Sequence, residues 1–247
     1  MATIDTTAGF RRLDSWVMAS IVQFATYRFC RKFLTRQLDP TGRQYDQMTQ
    51  AARSGKVNIV EGSARTTTSK ETEMKLTDVA KASLAELASD YEDWLLQQGL
   101  VPWHKTSEEA KAVFAIWLDK AVYQDDWVHD SCAHLLRQQK KFDRWLQSDD
   151  ANVVANCLLI LLRRTMLMLS EQIRQQVREF ENEGGFREQL TQIRVDARAK
   201  KVNAPVCSNC GKPMTIRKTN KNNETHEFWG CTGYPACTKT LKISTTS

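Results

Sequence analysis

Four cysteines constrain this chain more than any other feature: Cys207-Ser-Asn-Cys210, a loop of 20 residues, then Cys231-Thr-Gly-Tyr-Pro-Ala-Cys237. Two thiolate pairs spaced this way can meet tetrahedrally around one Zn²⁺, and a segment too short to bury a core of its own can fold around the metal. Cys207, Cys210, Cys231 and Cys237 are therefore the predicted ligands, and Zn²⁺ the predicted cofactor.

The other three of the seven cysteines, Cys30, Cys132 and Cys157, stand singly in helix-like contexts. A disulfide framework needs an oxidising compartment, and residues 1–20 lack the order of basic region, apolar run and cleavage site of a secretory signal. The longest apolar run in the body, Cys157 to Leu162, stops at Arg163-Arg164, short of the roughly 20 residues that cross a bilayer. The expectation is a soluble, cytoplasmic protein with no membrane partner.

Charge divides the chain unevenly. Residues 1–192 hold 25 Lys+Arg against 26 Asp+Glu, whereas 193–247 hold 10 against 3. A body of net −1 thus carries a tail of net +7, which points to a polyanionic partner or to a merely solvated basic face.

Helical spacing dominates the body. Val17, Ile21, Phe24, Cys30, Phe33 and Leu34 mark a first helix that stops at Asp39-Pro40, and Tyr45, Met48, Ala52 and Ile59 mark a second that ends by Gly62 and Thr66-Thr67-Thr68. Thr68 with Glu71 reads as a capping box opening a third helix through Leu84, Leu87, Tyr91 and Trp94 to Gly99. Residues 103–150 hold four of the seven tryptophans and a second capping box, Thr106 with Glu109, and read as an inserted helical hairpin. A last stripe, Leu158, Leu162, Met166, Leu169, Ile173, Val177 and Phe180, predicts a long helix with one buried face, ending at Gly184-Gly185. The predicted class is all-α: an up-and-down four-helix bundle over 15–183, with an insertion at about 101–150. A basic helix or linker over 184–204 then leads to a small zinc-ribbon β module over 205–243.

The segment Gln50-Ala-Ala-Arg-Ser-Gly-Lys-Val-Asn-Ile-Val-Glu-Gly-Ser-Ala-Arg65, with Asn58-x-x-Glu61-Gly62 and Ser83-x-x-Glu86-Leu87, resembles a bacterial four-helix-bundle family. That family includes the proteins encoded in ribosomal-RNA intervening sequences and the accessory protein of diversity-generating retroelements. Residues 155–188 look like its suffix variant. The resemblance implies a homo-oligomer that docks a reverse transcriptase or other nucleic-acid enzyme and presents basic surface to RNA or DNA. Between Arg28 and Lys75 there are ten Lys+Arg against five acids, a skew of the sign such a surface needs, although many of these side chains also form the wet faces of helices. On the second helix Ala51, Ser54, Asn58 and Glu61 share one face, so Glu61 needs a donor from Arg53, Arg65 or Ser83. A carboxylate pair of Glu61 with Glu86 is the functional alternative to a satisfied polar layer that fixes helix register.

Cys207, Cys210-Gly211, Met214, Arg217, Phe228, Gly230-Cys231, Tyr234-Pro235 and Cys237 together resemble the C4 zinc fingers of bacterial type IA topoisomerases. Ser208 stands where that pattern usually has Pro, and Asn220 to Glu224 enlarge the central loop. In such ribbons the thiolates hold the fold and the residues between them contact single-stranded nucleic acid. Arg217, Lys218 and Lys239 are the expected phosphate contacts and Trp229 and Tyr234 the expected stacking platforms, with Phe228 assigned to the cover of the metal.

No enzyme is expected. No Gly-rich phosphate loop is present, a closed Cys₄ site leaves zinc no open position for water, and His226 finds no vacancy in it. His104, His129 and His134 accompany no nucleophile motif, and Cys132 reads as a small core residue. The remaining alternative is a protein-binding scaffold in which Trp103, Trp117, Trp127 and Trp145 form a partner surface around a purely structural zinc module; these tryptophans also suit a core.

Overall fold

The computed structural model of the protein describes residues 9–66, 68–183, 191, 194, 204–221 and 224–243. The chain divides into two compact units between Asn182 and Glu183, the first helical and the second built on a small antiparallel sheet. The expected basic helix or linker over 184–204 lies almost wholly outside the described residues.

A 3₁₀ turn, Gly9–Arg12, leads into α1 (Asp14–Phe33), which is buried on every side from Ser15 to Gln23. Such a helix is central, and its buried hydroxyls find protein partners: Ser20 Oγ donates to the Trp16 carbonyl at 2.8 Å. Gly42, in the left-handed region, and the Asp39 carboxylate, which accepts from the Tyr45 N–H at 2.9 Å, set the start of α2 (Arg43–Arg65). α3 (Lys70–Gln97) is capped by Ser69, whose Oγ accepts from the Thr72 N–H, not by Thr68 as the spacing suggested. A run of threonines and a serine offers several acceptors, and the one with extended backbone wins.

Opposed pairs set the helix directions. Ser54 on α2 bonds Ser83 on α3 at 3.0 Å, while Gly62 faces Glu73 and Thr77, so these helices are antiparallel. Their closest approach is at Gly55, where a Cβ would stand 2.5 Å from Leu84 Cδ2. Tyr91 donates to Thr26 at 3.1 Å and Trp94 packs edge-on against Phe29, so α1 and α3 run in the same direction and meet through these side chains. Ser15 reaches Gln172 at 3.1 Å and Lys32 pairs with Asp149, so α1 opposes α7 (Ala151–Glu183). Gln176 near the end of α7 donates to Glu73 and Thr77 at 3.1 and 3.2 Å. Thirty-two buried apolar residues of these and the inserted helices join one core, about Phe29, Leu84, Tyr91 and Leu158.

The insertion is less regular than a hairpin. α4 (Glu108–Phe114) is capped by Ser107 rather than Thr106, and α5 (Trp127–Lys140) by Asp126; α6 (Asp143–Leu146) is a single turn. Residues 115–126 between α4 and α5 form no helix and are held by side chains instead. Arg164 on α7, only 6% exposed, donates to the carbonyls of Val113 and Ile116 at 3.4 and 2.6 Å, between the rings of Phe114 and Phe142. Gln138 bonds Asp119 through both ends of its amide.

The stripe on α7 holds at Leu158, Leu162 and Leu169 but not at its end, where Val177 and Phe180 are exposed and Gln176 is buried. By length and composition, residues 151–182 could cross a membrane, with a window of mean hydropathy 1.7, longer than the run ended by Arg163-Arg164 suggested. Yet 56% of that window is buried inside the helical unit, as in a core helix.

In the second unit β1 (Met214–Lys221), β2 (Glu224–Cys231) and β3 (Thr240–Lys242) form an antiparallel sheet in that order, with Met214 opposite Cys231, Arg217 opposite Phe228 and Phe228 opposite Lys242.

Candidate metal centre and the face beside it

Two tight turns bring the four cysteines together. At the first, the Cys207 N–H donates to the Lys212 carbonyl at 2.8 Å and the Gly211 N–H to the Cys207 carbonyl at 2.9 Å. Gly211 sits at φ 70°, which a Cβ would strain. At the second, the Cys237 N–H donates to Gly233 at 2.9 Å and Cys231 is tied to Lys239 at 3.0 Å.

The four sulfurs all lie within 4.8 Å of one another, with Cys207 and Cys237 3.8 Å apart and Cys210 and Cys231 3.3 Å apart. Tetrahedral ligands at about 2.3 Å from a metal would be about 3.8 Å from each other, so the set is sized for one ion. The chemistry of the donors agrees. The backbone N–H of Asn209 leads in holding the Cys207 thiol below its ordinary pKa, and the N–H of Lys239, with the Asn209 amide 3.6 Å away, brings Cys237 down to about 6. N–H groups aimed at sulfur favour the thiolate, the ligating form, at these two, whereas at Cys231 the Gly233 N–H is outweighed by burial and the neighbouring thiols, which push it up to about 12. The four cysteines can thus hold one metal ion; His226, on β2 opposite Thr219, is not among them.

Strand alternation then sorts the residues expected to touch nucleic acid. Counting by twos from Cys231 puts Trp229 on the thiolate side, where it packs against the cluster of Cys207, Met214, Cys231 and Cys237. The cover of the cysteine cluster is therefore Trp229, and Phe228, assigned that task from the sequence, lies on the opposite strand face. Lys218 shares the Trp229 side and is paired across the strands with Glu227 at 2.7 Å, which raises its pKa. Arg217, Tyr234 and Lys239 come together instead with Phe228, around a cavity of about 160 Å³. Gly230 makes room for Arg217: a Cβ there would stand 2.7 Å from Arg217 Cδ. The guanidinium continues to the Tyr234 ring, 5.3 Å from its centre, and Tyr234 is 61% exposed. Phe228 and Gly230 were missed as parts of this face, although the period of two, anchored on Cys231, carries the signal.

The helical unit gathers fewer of its candidates. Ser83 bonds Ser54, and Asn58 donates to the Ser54 carbonyl and hydroxyl at 2.9 and 3.2 Å, a local polar layer. Glu61 is exposed; Glu86 lines a separate polar groove with Asp46, Gln47 and Ser83, so no carboxylate pair forms. His104 bonds Thr106 and His129 lies beside Asp130, both exposed, whereas His134 is buried with Nε2 unpartnered and its pKa pushed down by burial. Cys132 is exposed, contrary to its reading as core. Of the four tryptophans, Trp145 is in the core, Trp103 packs against it, Trp127 stacks on Tyr123, and Trp117 is 77% exposed.

No family model, curated protein or solved structure matches this chain.

Proposed function

We propose that the protein is a non-enzymatic nucleic-acid-binding accessory factor: a four-helix bundle of up-and-down topology carrying a Cys₄ zinc ribbon that binds single-stranded DNA or RNA. Support for zinc comes from the four-thiolate donor set, which suits a soft tetrahedral metal and leaves no open position for chemistry. Zinc there supplies folding free energy, since among the described residues of this unit the buried cluster is three cysteines and a methionine.

One observation carries the ligand reading. Arg217 lies across Gly230 onto the face of Tyr234, next to Phe228 and Lys239, so cations and exposed aromatic surface share one side of a sheet whose other side closes over the metal. The cavity they share is also lined by Cys231 and Cys237, so this face adjoins the metal site; cations beside exposed aromatic surface suit unpaired bases and their phosphates, and stacking contributes about 1–3 kcal/mol per base. Duplex DNA would hide those base faces.

Fluorescence anisotropy with single-stranded and duplex oligonucleotides of one sequence tests this. The single strand should bind more tightly, its log affinity should fall with log salt by about 0.7 per phosphate contacted, and Cys231→Ser should release zinc and abolish binding by the ribbon. Salt-independent binding, or equal binding by Cys231→Ser, would refute the assignment.

A further inference from the structure

The cavity on the ribbon's sheet measures about 160 Å³, a space of the order of one nucleobase. Exposed Arg217, Tyr234, Thr238, Lys239 and Thr240 and the half-buried ring of Phe228 line it, so its walls are open to a ligand.

The equipment of these walls selects one edge of a base. Arg217 lies flat along the sheet: its Cδ, Nε and Cγ would stand 2.7, 2.9 and 3.2 Å from a Cβ at position 230, the atom glycine lacks. Its guanidinium rests 5.3 Å from the centre of the Tyr234 ring. Among the described residues its N–H groups bond no protein acceptor, so the fork is held in place and unused. Among the lining residues there is no carboxylate and no side-chain amide, and Glu227 is engaged on the other face with Lys218 at 2.7 Å. The site thus offers donors from Arg217 and Lys239, two hydroxyls and two ring faces.

A fixed fork calls for two adjacent acceptors on a flat body. Guanine carries them as O6 and N7, the edge that arginine bonds in two places at once. Adenine sets an amino donor beside N7, and thymine has the single acceptor O4 on that edge, so either leaves one arm of the fork unused or opposed. Cytosine pairs O2 with N3, but its single ring gives Tyr234 and Phe228 less surface to stack on.

We propose that the ribbon reads guanine in single-stranded nucleic acid, with the Arg217 fork on O6 and N7, the base against Tyr234 and Phe228, and Lys239 on a flanking phosphate. This base preference rests on the ribbon being the element that binds single strands, and adds which strands it selects.

Fluorescence anisotropy of the full chain with labelled thymidine strands, one central base changed at a time, tests it. Guanine there should bind about tenfold more tightly than adenine or thymine, and more tightly than cytosine. Hypoxanthine, which keeps O6 and N7 without the 2-amino group, should match guanine, whereas 7-deazaguanine, which lacks N7, should lose most of the gain. Arg217→Lys keeps the charge and removes the fork, so it should level the bases while zinc, salt dependence and affinity for the all-thymidine strand are retained to within about threefold. Equal binding of the guanine, adenine and cytosine strands, or a guanine preference that survives 7-deaza substitution or Arg217→Lys, overturns the proposal. If that equal binding still falls with salt and is lost in Cys231→Ser, the ribbon remains a single-strand binder without base preference; absence of binding to every strand overturns both.

Discussion

Gly230→Ala separates what the ribbon displays from what holds it together. An added Cβ would stand 2.7 Å from Arg217 Cδ and 2.9 Å from Nε, where ordinary contact begins at 3.4 Å. Gly230 lies in β2 without a positive φ, so alanine fits its backbone. The overlap must be relieved by Arg217, an exposed and flexible side chain that retreats by several tenths of an ångström or more and lifts from Tyr234. Stability should therefore change by less than about 0.5 kcal/mol. Binding should not be spared: an exposed cation–π contact contributes about 0.5–1 kcal/mol and one stacked base about 1–3. Losing the first and part of the second comes to about 1–2 kcal/mol, or about 5–30-fold in Kd. Anisotropy with a labelled single strand at fixed low salt, with zinc content measured on the same sample, reads both effects. Unchanged affinity with one zinc retained would refute the role given to the Arg217–Tyr234 pair; loss of zinc would mean that Gly230 serves the metal site instead.

Three further outcomes are expected in the helical unit. Arg164→Ala leaves the Ile116 carbonyl without this donor and takes one of two from the Val113 carbonyl, which keeps the Ile116 N–H, at a cost of about 1–3 kcal/mol in urea unfolding and with faster proteolysis within 115–126; a change under about 0.5 kcal/mol would contradict the anchoring role. Asp90 has a folded pKa raised from 3.8 to about 6, by burial first and then by Glu86 and Asp93, and its Oδ2 has no partner. Its ionised form therefore weakens the fold, by nothing below the lower value and fully above the higher, so Asp90→Asn should be more stable than the parent at neutral pH and equal to it in acid; thermal melts at both ends check the sign. Gly55→Ala gains about 1 kcal/mol of helix propensity but drives a Cβ to 2.5 Å from the fully buried Leu84, and overpacking of about 1–3 kcal/mol should win. Leu84→Val in the same chain should recover part of the loss in a calorimetric melt.

Helices announced themselves in the sequence because burying one face imposes a period, and α2, α3 and the first half of α7 follow theirs. Where the period failed, the cause was local. α1 is buried all round from Ser15 to Gln23, so there its stripe is only the visible part of its contact surface. Near the end of α7, Gln176 turns inward to meet Glu73 and Thr77, while Val177 and Phe180 face out; a hydrogen-bonded layer there displaces the apolar one. The path of 115–126 was illegible because it depends on Arg164 and Gln138, distant residues whose types carry no hint of such a partner. In the second unit, cysteine spacing alone located the cluster that can hold a metal ion, since few arrangements satisfy two thiolate pairs. The assignment of Phe228 and Trp229 was reversed because composition says that an aromatic covers the metal, and only strand parity says which one.

The burial of α1 also bears on how the chain can be made. A helix buried on every side from Ser15 to Gln23 must have all its neighbours at hand, and one of them, α7, follows more than a hundred residues later, as the Ser15–Gln172 bond records. At the usual rate of roughly 5–20 residues per second, a ribosome exposes the first helix for many seconds before the last one emerges to cover it. Throughout that interval the nascent chain holds the buried half of α1 without its final shelter. Vectorial synthesis thus makes α1 the natural place for a chaperone to hold, and the arrival of α7 the step that releases it.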